Sequence, residues 1–225
     1  MNQPPDFDRI ARLYRWMEMA SFGPWLRWCR CTFLSELISC RNALILGDGD
    51  GRFTARLLEA NPTVLIDAID ASPAMLKALV RRAGGNCSRV RIHLLDARCW
   101  SPNSMSDHLP EHPPYDLVIT HFFLDCLSTE EVVILAEKLR CAVSSSALWV
   151  VSEFAVPEGW FGRLVARPVV RALYCAFGLL AGLQVRRLPD HNRALRQAGF
   201  TIKKRRIWLG GLLISQIWCR APRVG

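Results

Sequence analysis

Short apolar runs alternate with more polar stretches along most of the chain, and this alternation predicts an α/β fold. The runs that predict buried strands are 43–46, 64–69, 90–95, 117–120 and 148–152. The stretches between them predict helices over 53–59, 72–82 and 130–142, the second with Ser72 as N-cap and Pro73 at its first position. Strands and helices in this order are typical of a doubly wound, parallel sheet.

The two ends of the chain differ from this alternation. Residues 7–39 predict helices interrupted at Gly23-Pro24, and near the C-terminus an apolar helix is predicted over 161–182 and a short one over 192–198. Two apolar stretches around Gly210-Gly211 predict a β-hairpin. We therefore expect a single α/β domain over 1–225 with a Rossmann-like, seven-stranded sheet, mostly parallel and closed by an antiparallel hairpin. Its expected parts are an N-terminal helical cap (1–40), a cofactor-binding half (41–155), and a lid helix with the closing hairpin (156–225).

The composition and the apolar segments of the chain predict the cellular compartment of the protein. The nine cysteines are scattered without zinc-ligand spacing, which predicts reduced thiols and no metal site. The N-terminus lacks a basic start followed by an apolar core, so we expect no signal peptide, and the apolar segment 172–185 is too short to span a bilayer. These features predict a cytoplasmic protein, with peripheral contact at the inner membrane as an extension. The net charge of +9 favours anionic partners, although an ordinary solvated basic surface explains it equally well.

A Gly-rich turn follows the first predicted strand. Its glycines are Gly47, Gly49 and Gly51, with Asp48 and Asp50 between them. A dinucleotide fingerprint would need a further glycine at position 52, where the chain has arginine. The observed pattern instead suits a cofactor without a pyrophosphate and with a positively charged amino-acid tail. An ordinary tight turn is the alternative.

Two carboxylates follow the next two strands at matching positions. Asp70 ends the second strand, where a carboxylate can accept both ribose hydroxyls of an adenosyl group. Asp96 ends the third strand, where it can accept a hydrogen bond from an adenine amino group. A lone aspartate at a strand end is usually a helix cap. Two such residues in register with a Gly-rich turn favour a nucleoside-binding site.

With these motifs the sequence resembles the class I S-adenosylmethionine-dependent methyltransferases. The resemblance runs from about Asn42 to Cys219 through LGDGDG, IDASPAML, LLDAR and YDLVITHFF. It implies S-adenosyl-L-methionine as the cofactor and a methyltransferase of the EC 2.1.1 type. Ile45 departs from the family, which commonly has an acidic residue there to hold the methionine ammonium. The implied cofactor-binding residues are Gly47, Asp48, Gly49, Asp50, Gly51, Asp70, Ala71, Met75, Asp96, Ala97 and Thr120.

The N-terminal segment FDRIARLYRWMEMASFG is similar to that of ubiquinone/menaquinone biosynthesis C-methyltransferases. That similarity implies that Tyr14 lies over the cofactor. The chain departs from those enzymes after the fourth strand, where it reads THFFLDCLS.

Two residues after the fourth strand are candidates for a catalytic base. His121 follows the strand end, and an imidazole suits proton transfer near neutral pH. Asp125 comes four residues later, so one helical turn would place both side chains on one face. The alternative is that Asp125 caps a turn and His121 packs against the cofactor.

The segment 160–188 falls where this superfamily often builds a substrate lid. Arg163, Arg167 and Arg171 recur at four-residue spacing beside apolar positions. This pattern fits a lid over an apolar or lipid-like small-molecule acceptor, a helix on an anionic membrane, or a core helix with a solvated arginine edge.

Three other functions remain to be weighed. The positive charge motivates an RNA methyltransferase, but the Pro113-Pro114-Tyr115 triplet precedes the fourth strand, whereas the amino-methylating signature follows it. Nucleic acid is therefore the less favoured partner. Ile45 motivates a catalytically silent S-adenosylmethionine-binding partner subunit. A nicotinamide-dependent oxidoreductase is disfavoured by Arg52.

Overall fold

Residues 23–102, 114–173 and 188–221 are described by the computed structural model. Tyr14 and the first part of the predicted cap lie outside these residues, as do residues 103–113 before the fourth strand and the second half of the predicted lid helix. None of the helices within the described ranges is both long and apolar enough to cross a membrane.

Seven strands form one sheet in the order β3-β2-β1-β4-β5-β7-β6. Strands β1 to β5 are parallel, and β7 is antiparallel to both of its neighbours. This topology confirms the predicted Rossmann-like fold with its closing hairpin. The strands are β1 (Asn42–Leu46), β2 (Leu65–Asp70), β3 (Val90–Leu94), β4 (Tyr115–His121), β5 (Val143–Phe154), β6 (Phe200–Trp208) and β7 (Leu213–Arg220).

Helices cover both faces of the sheet. The helices are α1 (Gly23–Cys31), α2 (Arg52–Ala60), α3 (Pro73–Ala83), α4 (Thr129–Ala142), α5 (159–173) and α6 (His191–Gln197). Local signals explain several of their starts. Ser72 accepts the backbone amide of Met75 at the start of α3, and Ser128 forms a capping box with Glu131 at the start of α4.

Two elements differ from the prediction. Strand β5 begins at Val143, directly after α4, and not at the predicted 148. Val143 pairs with Tyr115 of β4, although the serines that follow Val143 have no apolar pattern that would predict a strand. Helix α5 begins at Gly159 and contains a π-helical turn, Gly162–Ala166. A side chain at Gly162 could not fit there, since a Cβ would lie 1.6 Å from the carbonyl oxygen of Pro157.

The core lies in two layers, one on each face of the sheet. A third apolar cluster lies beyond the carboxyl ends of β4 and β5, where α1 and α5 meet the β6–β7 turn. Its buried members include Leu26, Phe122, Phe154, Val170 and Leu212. The parallel strands therefore end beside an apolar region built from the cap, the lid helix and the hairpin.

Candidate active site

The three glycines of the turn between β1 and α2 differ in the atoms that surround them. All three have left-handed backbone conformations, with φ of 66° at Gly47, 59° at Gly49 and 78° at Gly51. A Cβ at Gly51 would lie 2.7 Å from the Leu79 Cα, so this glycine is needed for packing against α3. A Cβ at Gly49 would meet only the Met75 sulfur, at 3.8 Å. Gly49 is therefore the glycine that leaves space beside the turn for a ligand.

The two aspartates of this turn are already engaged by the protein. Asp48 Oδ2 accepts the backbone amide and the hydroxyl of Thr54 at 2.8 and 2.7 Å. Burial raises the pKa of Asp48, against the effect of these bonds. Asp50 forms an ion pair with Arg82 at 2.7 Å. Asp48 thus organises the start of α2, and Asp50 connects the turn to the end of α3.

The Gly-rich turn lies next to the end of β2. The Gly47 amide donates to the Ile69 carbonyl at 2.9 Å, which brings Asp70 beside the turn. Asp70 Oδ1 accepts the Ser72 amide at 2.9 Å, and Ala71 between them is exposed. Met75, in the first turn of α3, reaches back towards Gly49. The structure therefore brings together four predicted cofactor residues: Gly49, Asp70, Ala71 and Met75.

The end of β3 lies at the same edge of the sheet as the end of β2. The Leu95 amide donates to the Asp70 carbonyl at 3.1 Å, so Asp96 follows directly beside the second strand end. Both Asp96 oxygens accept hydrogen bonds from the Arg98 guanidinium. Burial by itself would raise the pKa of Asp96, but the bonds from Arg98 outweigh it and lower the pKa. Ala97 is buried beside it.

Thr120 is engaged on the opposite side of β4 from its neighbour His121. The Thr120 hydroxyl accepts the indole N–H of Trp149 at 2.9 Å, and the residue is fully buried. Thr120 also pairs with Leu46, the residue before Gly47, and its contact with the cofactor stays a prediction.

His121 is buried at the end of β4 against the edge of Phe53, with ring centroids 4.4 Å apart. Neither ring nitrogen has a hydrogen-bond partner among the described residues. Burial first, and then the nearby Arg30 guanidinium, lower the pKa of His121 well below its usual value. The ring is therefore neutral at physiological pH and a weak base.

The expected helical turn from His121 to Asp125 does not form. Phe122 has a φ of 53°, and only a short 3-10 turn, Leu124–Cys126, follows it. The Phe122 amide still donates to the Ser152 carbonyl of β5 at 2.7 Å, which continues the pairing of β4 with β5 just beyond His121. Phe123 then lies over the Gly-rich turn, where its ring is 2.4 Å from a Cβ built at Gly47.

Glu153, near the end of β5, is a site residue that the sequence analysis missed. Its Oε1 accepts the backbone amides of Phe123 and Leu124 at 3.2 and 2.8 Å, so it holds the segment after β4 in place. Its Oε2 is buried without a hydrogen-bond partner among the described residues. The sequence signal for it is an acidic residue directly after the predicted strand 148–152.

Three carboxyl groups converge near Cys126. Burial first, and then Asp125, Glu153 and Asp70, raise the pKa of the Cys126 thiol, which excludes a reactive thiolate. Burial raises the pKa of Asp125 to about 6. Burial and the nearby Asp125 raise the pKa of Glu153 well above its usual value. Asp125 and Glu153 therefore form a coupled carboxyl pair, in which burial and the nearness of the two groups disfavour ionising both at once.

Comparisons with known proteins place this geometry in a larger context. Residues 44–146 match a protein family described as "Methyltransferase domain". Among curated proteins, none matches the chain significantly. The family match covers the Gly-rich turn, both strand-end aspartates and the segment after β4.

Solved methyltransferase structures share the fold. The methyltransferase CcbJ from Streptomyces caelestis superposes with a TM-score of 0.70 at 18% identity, covering 99% of this chain and 100% of that one. The mitomycin 7-O-methyltransferase MmcR gives a TM-score of 0.66 at 15% identity, covering 96% of this chain and 60% of that one. Human N-acetylserotonin methyltransferase, solved with S-adenosylmethionine, gives 0.64 at 16% identity, covering 94% of this chain and 56% of that one.

The chain therefore spans about three fifths of the length of two of these enzymes. The fold is that of class I methyltransferases. The family match over residues 44–146 agrees with the predicted methyltransferase class.

Proposed function

We propose that the protein transfers a methyl group from S-adenosylmethionine to a small, apolar acceptor. The observation that carries the proposal is the row of groups at the carboxyl ends of β1, β2 and β3. Gly49 leaves space beside the first strand, and the Leu95 amide joins the second and third strand ends at the Asp70 carbonyl. Ligands of open α/β sheets bind at this edge.

The chain's own residues fit the cofactor. Asp70 and Asp96 would bind the ribose and the adenine amino group, while Gly47–Gly51, Ala71, Met75 and Ala97 would surround them. Tyr14 and Thr120 stay predictions from resemblance. Bound S-adenosylmethionine supplies an electrophilic methyl group, so the protein has to align the acceptor, exclude water and take up a proton where the acceptor carries one.

Asp125 is the base that we propose. With its pKa raised to about 6, it is mostly ionised at neutral pH yet more basic than an ordinary aspartate. Glu153 keeps the segment that carries Asp125 in place through the amides of Phe123 and Leu124. His121 is the second candidate, but its buried, neutral ring contacts Phe53.

The acceptor is proposed to be apolar because an apolar cluster lies beyond the end of β5, with the Arg30 guanidinium 5.2 Å from the centroid of its Phe122 ring. Phe122 and Phe154 pack at 5.2 Å between ring centroids, within the cluster that α1, α5 and the β6–β7 turn complete. The named substrates of similar enzymes, mitomycin and N-acetylserotonin, are small molecules. A quinone-like acceptor falls within this class. We place the protein in the cytoplasm, with peripheral contact at the inner membrane.

A thermal-shift titration with S-adenosylhomocysteine, with NAD as control, tests the cofactor assignment. A melting temperature that rises with S-adenosylhomocysteine alone is expected, because a ligand of the native state stabilises it by mass action. The absence of a shift at millimolar S-adenosylhomocysteine would overturn it. Binding without turnover of any apolar phenol or quinol would instead favour the silent partner subunit, and a salt-dependent gel shift with RNA would favour the RNA enzyme.

A further inference from the structure

Exposed tryptophans gather at one end of the molecule. Trp28 is 50% exposed and Trp160 is 70% exposed, while Trp25 is also exposed. Large aromatic side chains are rarely left in water on this scale without a partner. Leu164, one turn after Trp160 on α5, is 72% exposed.

These side chains lie on neighbouring elements. The Trp25 ring contacts Trp208 of β6 with centroids 6.3 Å apart. Trp208 pairs with Leu213 of β7, which in turn pairs with Phe154 at the end of β5. Helix α5 reaches the same place, since the Phe161 ring lies 3.1 Å from a Cβ built at Gly210 of the β6–β7 turn. The exposed aromatic residues thus lie beside the β6–β7 turn and the carboxyl end of β5.

Cations accompany these apolar side chains. Arg163, Arg167 and Arg171 are exposed along α5, and none forms an ion pair with another described residue. Strand β6, at the edge of the sheet, carries four consecutive exposed cations, 203–206. Of these, Lys204 pairs with Glu36 at 2.8 Å. A surface with this charge attracts anions.

The mixture of aliphatic, tryptophan and arginine side chains favours a lipid surface over RNA. An RNA-binding surface uses aromatic rings to stack bases, and exposed aliphatic side chains such as Leu164 and Val165 add nothing to stacking. Interfacial helices combine tryptophan and leucine with arginine, because the apolar side chains enter the headgroup region while the cations meet anionic lipid.

We propose that α1, α5 and β6 form a docking face for an anionic phospholipid bilayer, centred on Trp25, Trp28, Trp160 and Leu164. This inference rests on the proposed function and deepens it, because the face surrounds the end of the sheet at which the acceptor would bind. An apolar acceptor would then reach the site from the membrane without crossing water.

Vesicle co-sedimentation of the full chain tests the docking face. We compare vesicles of phosphatidylcholine alone with vesicles containing about 30% phosphatidylglycerol, at low and high salt. Binding to the anionic vesicles, weakened at high salt, is expected. Equal binding to both kinds of vesicle, or none to either, would overturn the proposal, and so would a preference for RNA added as competitor.

Two pairs of variants locate the surface. The double variant Arg163→Glu, Arg167→Glu should lower the partition coefficient on anionic vesicles about tenfold or more. The control is the double variant Lys77→Glu, Arg81→Glu, at exposed positions of α3. It changes the net charge equally and should lower the partition coefficient much less. Trp160→Ala with Leu164→Ala should also weaken binding, unlike Ile134→Ala on α4. Equal effects of the paired variants would contradict this location.

Thermal shift with S-adenosylhomocysteine, measured on the same preparations, separates this proposal from the proposed function. Retained S-adenosylhomocysteine binding without vesicle binding overturns the docking face alone. Vesicle binding without S-adenosylhomocysteine binding supports a lipid-binding surface but overturns the methyltransferase function on which the acceptor route depends.

Discussion

The backbone amide of Leu124 donates a hydrogen bond of 2.8 Å to the side chain of Glu153, across two neighbouring strands and 29 residues of sequence. The bond joins the segment after β4 to the end of β5. Its acceptor is a buried carboxyl whose pKa is raised well above its usual value, first by burial and then by Asp125. The contact holds the segment that carries Asp125, and the bond itself favours the ionised form of Glu153 against the effect of burial.

Replacing Glu153 tests this role directly. Glu153→Gln keeps an oxygen acceptor and resembles the protonated acid, so we expect a free energy of unfolding within about 1 kcal/mol of the parent. Glu153→Ala leaves the two backbone amides without their acceptor and should cost about 1–3 kcal/mol. Urea denaturation at neutral pH measures both. Equal destabilisation by the two variants would show that Glu153 acts as an ionised carboxylate.

The pH dependence of turnover should report Asp125. A base works only when deprotonated, so kcat/KM should fall as the pH drops below about 6, where Asp125 takes up its proton. Asp125→Asn should remove this limb and lower kcat by about 10²- to 10⁴-fold. His121→Gln should leave the limb in place. Loss of the limb in the His121 variant instead would transfer the role of base to the imidazole.

Asp70 should contribute strongly to cofactor affinity. Asp70→Asn weakens hydrogen bonds from ribose hydroxyls to a charged acceptor, so the Kd of S-adenosylhomocysteine should rise about tenfold to a hundredfold in calorimetric titration. Asp190→Asn is the matched control, because Asp190 caps α6 away from this edge and asparagine caps equally well. A similar Kd for Asp70→Asn and the control would remove Asp70 from the site.

Asp67, buried in the middle of β2, should stabilise the fold in a pH-dependent way. Its carboxylate accepts bonds from Arg91, His93 and Tyr115 at 2.8, 2.9 and 3.0 Å. Burial alone would raise the pKa of Asp67, but these partners outweigh it and lower the pKa. Because the pKa of Asp67 is lower in the native than in the unfolded protein, its charge stabilises the fold at pH values above the unfolded pKa of about 3.9. This stabilisation is lost as the pH falls through the native pKa of Asp67.

We therefore expect Asp67→Asn to cost about 3 kcal/mol at pH 7 and progressively less below about pH 4, measured by urea denaturation across this range. Glu59→Gln is the control, since its pair with Arg56 is exposed and should contribute under about 1 kcal/mol. A penalty for Asp67→Asn that does not change with pH would show that packing, and not charge, explains it.

Gly51 should be far less tolerant of substitution than Gly85. Gly51→Ala combines a positive φ with a Cβ 2.7 Å from Leu79 Cα, so it should cost at least about 2 kcal/mol in a denaturant titration. Gly85 has nothing within 4 Å of an added Cβ, and Gly85→Ala should change stability by under about 1 kcal/mol. Comparable penalties at both positions would contradict the close approach of α3.

The amino-acid sequence by itself determined the order of strands and helices, the closing hairpin and the turn that carries Gly47, Gly49 and Gly51. These are local properties, set by runs of apolar residues a few positions long and by residues such as Pro73 and Gly210 with restricted or permissive backbones. The carboxyl ends of adjacent parallel strands share one edge, so the proximity of Asp70 and Asp96 also followed from the pattern.

Only the tertiary structure decided which side chains meet across that edge. Phe122 bonds to Ser152 of β5, and the pair of Asp125 and Glu153 joins the 3-10 turn after β4 to the end of β5. The low pKa of His121 arises from burial beside Arg30, which belongs to α1. Burial and charge at a site come from contacts between residues distant in sequence. The local pattern of hydrophobic and polar positions cannot predict these contacts.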